Sequence, residues 1–290
     1  MSQSFSRRKF LALTSAAAAG ATFFDAPEVL RAAHLLADED AYGGWPIGVQ
    51  SYSLRKFDML EAVRHIQGMG LHYVEFYSKH LSPNASEEEI AETRKVLAGA
   101  KITLNAHGVN GFTNNHEANR KIFAFAKKVG IRNITANPQK DAFESLDKLV
   151  AEFDIRIAIH NHGPGALYDK ADDTLNAVKD HDKRIGACVD TGHCIRSGEN
   201  AVEVVEKLGD RVFAAHLKDD THKGDKGSHN VVIGKANLDV VGVFKALKKV
   251  KFPADGSLSL EYESNPDNPI DDMKQCLVVA RKAIAQAAAS

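Results

Sequence analysis

From residue 47 onward the chain alternates short β-branched apolar runs with longer stretches of helical periodicity. The apolar runs IGVQSYS (47–53), YVEFY (73–77), ITLNAHG (102–108), IRNITANP (131–138), RIAIHNHG (156–163), IGACVDTGH (185–193), RVFAAHLKD (211–219) and SLSLEYE (257–263) predict strands. Helices are predicted between them at 59–69, 87–98, 114–129, 141–153, 169–181, 200–208 and 238–249, with a last one from Ile270 to the end. Ser86 and Glu89 form a capping-box signature, and Gly99 is a candidate stop for that helix. Lys127, Lys128 and Gly130 make a C-terminal signature for the next one. Eight strand–helix units at this spacing, with no interior linker, predict an α/β fold of parallel βαβ modules closed as a (β/α)8 TIM barrel. A doubly wound sheet is the alternative, but the glycine fingerprint of nucleotide binding is missing.

Period two decides which side chains enter the barrel. Ala158, His160 and His162 share a face, as do Cys188 with Asp190, then Ala214, His216 and Lys218, and then Ser259, Glu261 and Glu263. Four consecutive units thus deliver His160, Asp190, His216 and Glu261 to the C-terminal end of a barrel, where such folds carry their chemistry. Mixed imidazole and carboxylate donors suit one divalent ion: Mn, Zn, Co or Fe, with Mg less favoured because it prefers an oxygen-rich shell. Glu75, His107, His162, His193 and Lys218 crowd the same end as candidate proton-transfer or hydroxyl-binding groups. Lys218 suits an anionic oxygen, its bland alternative being a salt bridge to Asp190 or Asp219. Tyr52 is a candidate stacking surface, whereas Phe76 and Tyr262 read as packing and Glu263 as an outer residue. The polar stretch 219–236 is long for a connection and is a candidate cover for the site.

Composition adds limits rather than detail. The 290 residues are 44% hydrophobic and 26% charged with a formal net charge of -1, which gives no general electrostatic grip on nucleic acid or an acidic membrane. Cys188, Cys194 and Cys276 form neither a disulfide framework nor a thiolate zinc signature. At the N-terminus, Ser6-Arg7-Arg8-Lys9-Phe10-Leu11 precedes a short alanine-rich stretch. That is the form of a twin-arginine signal, too short for a membrane span. It predicts a leader over 1–41, a barrel domain over 42–290, use of the twin-arginine export machinery, a periplasmic or exported protein and no stable membrane insertion.

YVEFY, HNHG, DTGH, HLKD and LEYE together resemble the xylose isomerase-like TIM-barrel superfamily of sugar phosphate isomerases and epimerases over about residues 46–285. The resemblance is broad on substrate, since it embraces ketose 3-epimerases, hydroxypyruvate isomerases, inosose dehydratases and DNA-repair endonucleases. The ketose-epimerase branch holds its metal with Glu, Asp, His and Glu, and the last three positions match Asp190, His216 and Glu261 here. The first match is His160, a departure that puts a symmetric two-carboxylate epimerisation in doubt. A His-rich fifth strand end and the Glu-x-Glu of the last strand are closer to the dehydratase branch. The resemblance also implies that the His of DTGH, His193, touches substrate oxygens and that the His of HLKD, His216, binds metal.

The implied activity is a divalent-metal-dependent sugar isomerase or epimerase, acting through an enediolate on a keto or aldehyde sugar. Glu261 is then the carboxylate placed to take the proton, with Glu75, His107 or Lys218 handling the second transfer. Two alternatives stand beside it: a metal-dependent dehydratase or eliminase of a keto sugar or keto-glycoside, and a non-catalytic periplasmic sugar-binding protein.

Overall fold

The computed structural model describes residues 41–290, so all but the last residue of the predicted leader lie outside the described residues. Eight parallel strands close in the order β1-β10-β7-β6-β5-β4-β3-β2, the barrel that the alternation of elements predicts. These strands are β1 (Ile47–Gln50), β2 (Tyr73–Phe76), β3 (Thr103–Phe112), β4 (Asn133–Pro138), β5 (Arg156–His160), β6 (Ile185–Asp190), β7 (Val212–Leu217) and β10 (Ser257–Leu260). A two-stranded antiparallel ribbon, β8 (Asp219–Asp220) with β9 (Asn230–Val231), lies outside the barrel. The intervening helices are α1 (Met59–Gly68), α2 (Glu87–Ala100), α3 (His116–Val129), α4 (Phe143–Phe153), α5 (Ala171–Val178), α6 (Thr191–Arg196), α7 (Ala201–Leu208), α8 (Val240–Lys249) and α9 (Ile270–Ala288).

Strand alternation sorts the core into two layers. Ile157 and Ile159 of β5 point outward and pack with Ile134, Leu146, Leu149 and Ile185 beneath the helices. Ala158, Cys188 and Ala214 point inward. Among the described residues no helix is long and apolar enough to cross a membrane.

Several local expectations are met in atomic detail. Ser86 accepts from Glu89 N at 3.2 Å while the Glu89 carboxylate accepts from Ser86 N at 2.7 Å, closing the capping box at the start of α2. Gly130 ends α3 in the left-handed region, at φ 84°. Others are corrected. Helix α2 runs through Gly99 to Ala100 and is stopped by Lys101 at φ 58°. Strand β1 ends at Gln50, and Ser51–Leu54 turns into a 3-10 helix because the Gln50 side chain accepts from Tyr52 N at 3.1 Å. Strand β3 continues past His107 to Phe112 through a register shift between His107 and Asn110. The DTGH segment is not strand: β6 stops at Asp190, which caps α6.

Candidate metal centre

Each member of the polar cluster is delivered by the end of a strand and locked by a neighbour. Asp190 is level with His216 across the β6–β7 pairing, and His216 is level with Ser259 across β7–β10. Asn161, directly after β5, extends the ladder with its side chain: it accepts from Asp190 N at 2.8 Å and donates to Asp190 O at 3.1 Å. The Asp190 carboxylate divides its oxygens between two tasks. Oδ1 accepts from His193 N at 2.8 Å as the cap of α6, and Oδ2 faces the barrel axis.

His160, Asp190, His216 and Glu261 each offer one donor atom, all within 4.8 Å of one another, and all four residues are buried. His160 Nε2 lies 3.0 Å from His216 Nδ1 and 3.4 Å from Asp190 Oδ2, while Glu261 Oε2 lies 3.1 Å from His216 Nδ1. This cluster is capable of holding a divalent metal ion. The donor set fits such an ion for a second reason: Asp190 Oδ2 is fully buried and has no hydrogen-bond partner. A buried carboxylate oxygen in that state needs a cation beside it, which the Lys218 ammonium at 3.1 Å supplies here and a divalent ion would supply when bound.

Glu75 enters from β2, on the opposite wall, and its Oε2 accepts from His216 Nε2 at 3.0 Å and from Ser259 Oγ at 2.9 Å. The bond holds the His216 ring with Nδ1 directed at the cluster, the arrangement by which an outer carboxylate orients a metal-binding histidine. Burial lowers the His216 pKa, but Cys188, Glu75 and Glu261 together raise it well above the ordinary histidine value. Burial pushes the Glu75 carboxyl up, but His216, together with the Thr135 and Ser259 hydroxyls, more than offsets this and holds it below the usual range. Glu75 is 0% exposed, so its place is behind His216 rather than at a second proton-transfer position facing substrate.

His107 is likewise corrected. Its Nε2 bonds the Leu81 carbonyl at 2.8 Å and its Nδ1 lies 3.1 Å from Asn110 Nδ2, so both ring nitrogens are engaged. Burial pulls its pKa down. The ring ties β3 to the segment before α2 and leaves no nitrogen for proton exchange.

Lys218 lies deep in the cluster, its Nζ 3.1 Å from Asp190 Oδ2, 2.9 Å from Glu261 Oε2 and in contact with Glu263 Oε1. The salt bridge to Asp190 is therefore present, and Asp219 is not a partner. Burial opposes the ammonium, yet Asp190, Glu261 and Glu263 hold its pKa well above the ordinary lysine value. Burial raises both the Asp190 and Glu261 carboxyls, but Lys218 together with neighbouring histidines, His193 and His160 at Asp190 and His216 at Glu261, outweighs it and holds both below the usual carboxylate range. Gly192 of DTGH makes room for the lysine stem, because a Cβ there would come within 2.5 Å of Lys218 Cγ.

Toward the mouth, the rings of His160 and His162 are 4.4 Å apart and those of His162 and His193 are 5.8 Å apart. Burial pulls His162 down to about 4 and His193 down to about 3, so both are neutral at pH 7 and suited to hydroxyl groups rather than anions. Tyr52 is 39% exposed, sits edge-on to Tyr77 at 5.4 Å, and lies under the Arg55 guanidinium at 4.7 Å. Phe76 and Tyr262 are buried as packing residues.

Asn161 and Asp220, which also carry the site, were not singled out from the sequence, and Asp219 was named only as an alternative partner for Lys218. Asn161 had a usable signal, since it sits between two inward histidines at the strand end. Asp219 is 0% exposed and accepts from the backbone N–H groups of Gly234, Ala236, Asn237 and Leu238 at 2.9–3.0 Å. It thereby pins the polar stretch expected to cover the site. Asp220 is 2% exposed, and burial, aided by Asp190 and opposed by Lys218 and Arg196, pushes its carboxyl up to about 7.

A pH dependence follows for Asp220. An aspartate in the unfolded chain titrates near 3.8, so between about 4 and 7 the folded state binds more protons than the unfolded state, and stability falls as pH rises through that window. Asp220→Asn is expected to stabilise the chelator-treated protein by about 2–4 kcal/mol at pH 8, with the gain shrinking toward pH 4. Thermal melts across that range check it.

The family model described as "Xylose isomerase-like TIM barrel" matches residues 63–281. An inosose dehydratase from Clostridium botulinum (strain Eklund 17B / Type B) is 31% identical over 143 residues, which is 43% of this chain and 47% of that one. The chain thus spans about half the length of the curated relatives it matches. A solved structure from Parabacteroides distasonis superposes with a TM-score of 0.65 at 27% identity, covering 83% of this chain and 99% of its own. A D-tagatose 3-epimerase-like protein shares the fold with a TM-score of 0.68 at 19% identity, over 84% of this chain and 98% of its own.

Proposed function

The chain belongs to the xylose isomerase-like TIM-barrel family, and from that premise we propose that it is a divalent-metal-dependent enzyme that removes a proton next to the carbonyl of a keto sugar. Of the isomerase, epimerase and dehydratase chemistries open to such a site, loss of a β-hydroxyl is the reading we favour. The observation that carries it is the asymmetry of the cluster. Glu261 is 7% exposed, against 3% for His160 and 0% for Asp190 and His216. Among the four candidate ligands, the least buried is a single carboxylate, Glu261. Opposite it stands His160, whose Nδ1 and Nε2 lie near His162 and His216 at 3.3 and 3.0 Å.

A divalent ion bound there supplies Lewis-acid polarisation of the substrate carbonyl. The residues of the chain do the rest. Glu261 takes the proton from the carbon next to the carbonyl and returns it to the departing hydroxyl, so that water leaves and an unsaturated keto sugar forms. Lys218 holds positive charge beside the oxygen that becomes anionic. His162 and His193, neutral at pH 7, orient the remaining hydroxyls, and Tyr52 offers a ring face at the rim. A one-sided base suits elimination or isomerisation on one face better than two-faced epimerisation, and the similarity to inosose dehydratases supports the same choice.

The test is incubation of metal-analysed protein with a panel of keto sugars in deuterated water. Loss of the elements of water is the expected result. Deuterium in recovered sugar or its isomer, without that loss, would move the reaction to isomerase. A metal-replete protein that binds sugars with neither outcome would be a binding protein.

We also propose export by the twin-arginine route, on the strength of Ser6–Leu11 alone. Lys at both Arg7 and Arg8 is expected to retain the protein in the cytoplasm, read by cell fractionation. Equal export of that variant would exclude the route.

A further inference from the structure

Lys218 Nζ approaches Asp190 Oδ2 at 3.1 Å and Glu261 Oε2 at 2.9 Å. Those are the same oxygens that lie 3.9 and 3.1 Å from His216 Nδ1 within the candidate ligand group. Lysine and a divalent ion therefore draw on one shared pair of oxygens. The third partner of the lysine differs in kind. Glu263 is outside the ligand group, and its side chain is 38% exposed where that of Lys218 is 3% exposed. Its backbone is held, with Glu263 N donating to Asn230 Oδ1 at 3.0 Å and its carbonyl accepting from Arg55 Nη2 at 2.7 Å. Glu263 is thus a fixed post at the rim of the cluster.

We propose that Lys218 is an exchangeable counter-cation: it holds Asp190 and Glu261 together while the metal is absent, cedes them when the metal binds, and remains anchored on Glu263. The inference rests on the metal-centre reading above. Its physical ground is charge. Asp190 and Glu261 are buried carboxyls whose ligand oxygens share one small volume, and without a cation beside them their mutual repulsion and lost hydration would be poorly compensated. An ammonium meets that need in the metal-free protein. The same ammonium then competes with an incoming ion, so it lowers the affinity of the site and makes the metal exchangeable.

The test uses the full chain, Mn²⁺ as probe, and two readouts independent of turnover: Mn²⁺ affinity by competition with a chelating dye, and melting temperature with and without chelator. Lys218→Met is expected to tighten Mn²⁺ binding by about tenfold or more, to lower the metal-free melting temperature, and to enlarge the rise on adding metal. Lys218→Arg, which keeps the charge, should not tighten binding. Glu263→Gln should weaken Mn²⁺ binding when Lys218 is present and have little effect in the Lys218→Met background. If chelated Lys218→Met fails to fold, recovery of the fold on adding Mn²⁺ supports the proposal, and no recovery counts against it. Mn²⁺ affinity in Lys218→Met equal to or weaker than wild type overturns the counter-cation role while leaving the metal centre standing. Equal effects of Glu263→Gln in both backgrounds overturn the anchoring step. Failure of wild type and Lys218→Met alike to bind Mn²⁺ would remove the metal centre and the inference together.

Discussion

Asp190→Asn is expected to abolish tight divalent-metal binding and to reduce turnover by about a thousandfold or more, with only a small loss of stability. The asparagine keeps an oxygen for the amide of His193, so α6 retains its cap and the backbone around DTGH stays in place. What disappears is the charge on the second oxygen, the one aimed at the cluster. Lys218 still has Glu261 and Glu263, so no unpaired ammonium is left behind. Asp190→Ala removes the cap as well and should cost about 1 kcal/mol more. Pairing it with Glu261→Ala deletes both anionic ligands. Metal content, turnover and melting temperature measured on the same preparations separate the two effects. Full activity in the metal-loaded double variant would dismiss the shared ion altogether.

Asp219→Ala should be the most destabilising single change in the chain outside the hydrophobic core, by about 4 kcal/mol, or a fall of about 10 °C in melting temperature. Both carboxylate oxygens are used. Oδ1 accepts from the amides of Asp220, Asn237 and Leu238, and Oδ2 from those of Gly234 and Ala236. Alanine leaves these donors facing a void. Asparagine is not a rescue, because its amide nitrogen must point at one of the two groups of donors. Loss of activity is expected to accompany the loss of stability, since the pinned stretch begins directly after Lys218. Denaturant or thermal unfolding of the two variants settles the magnitude; a change below about 1 kcal/mol would show that water replaces the carboxylate easily.

The barrel was legible because eight β-branched runs alternate with capped helical stretches, and the missing nucleotide-binding glycine fingerprint weighed against a doubly wound sheet. The ligand cluster was legible for a related reason. Inward positions are fixed by period two, and His160, Asp190, His216 and Glu261 all fall where a strand gives out. What escaped the reading depends on side chains serving the backbone. Helix α6 was missed because Thr191-Gly192-His193-Cys194 has no apolar period, and its start is declared by Asp190, which reads equally well as a ligand. The extension of β3 was hidden by Gly108 and Gly111, which resemble a turn in sequence and are strand in space. Glu75 and His107 both carry groups that could shuttle protons. Only their partners, His216 for one and the Leu81 carbonyl for the other, show that each supports another part of the structure.

The bond from Glu75 to His216 crosses between strands that are 141 residues apart in the chain. All four candidate ligands belong to the half of the molecule that begins with β5, so that half alone would carry every donor atom. It would not carry the group that aims His216. Cutting the protein between α4 and β5 therefore separates possession of a binding constellation from its alignment, and only re-association of the two pieces would restore both.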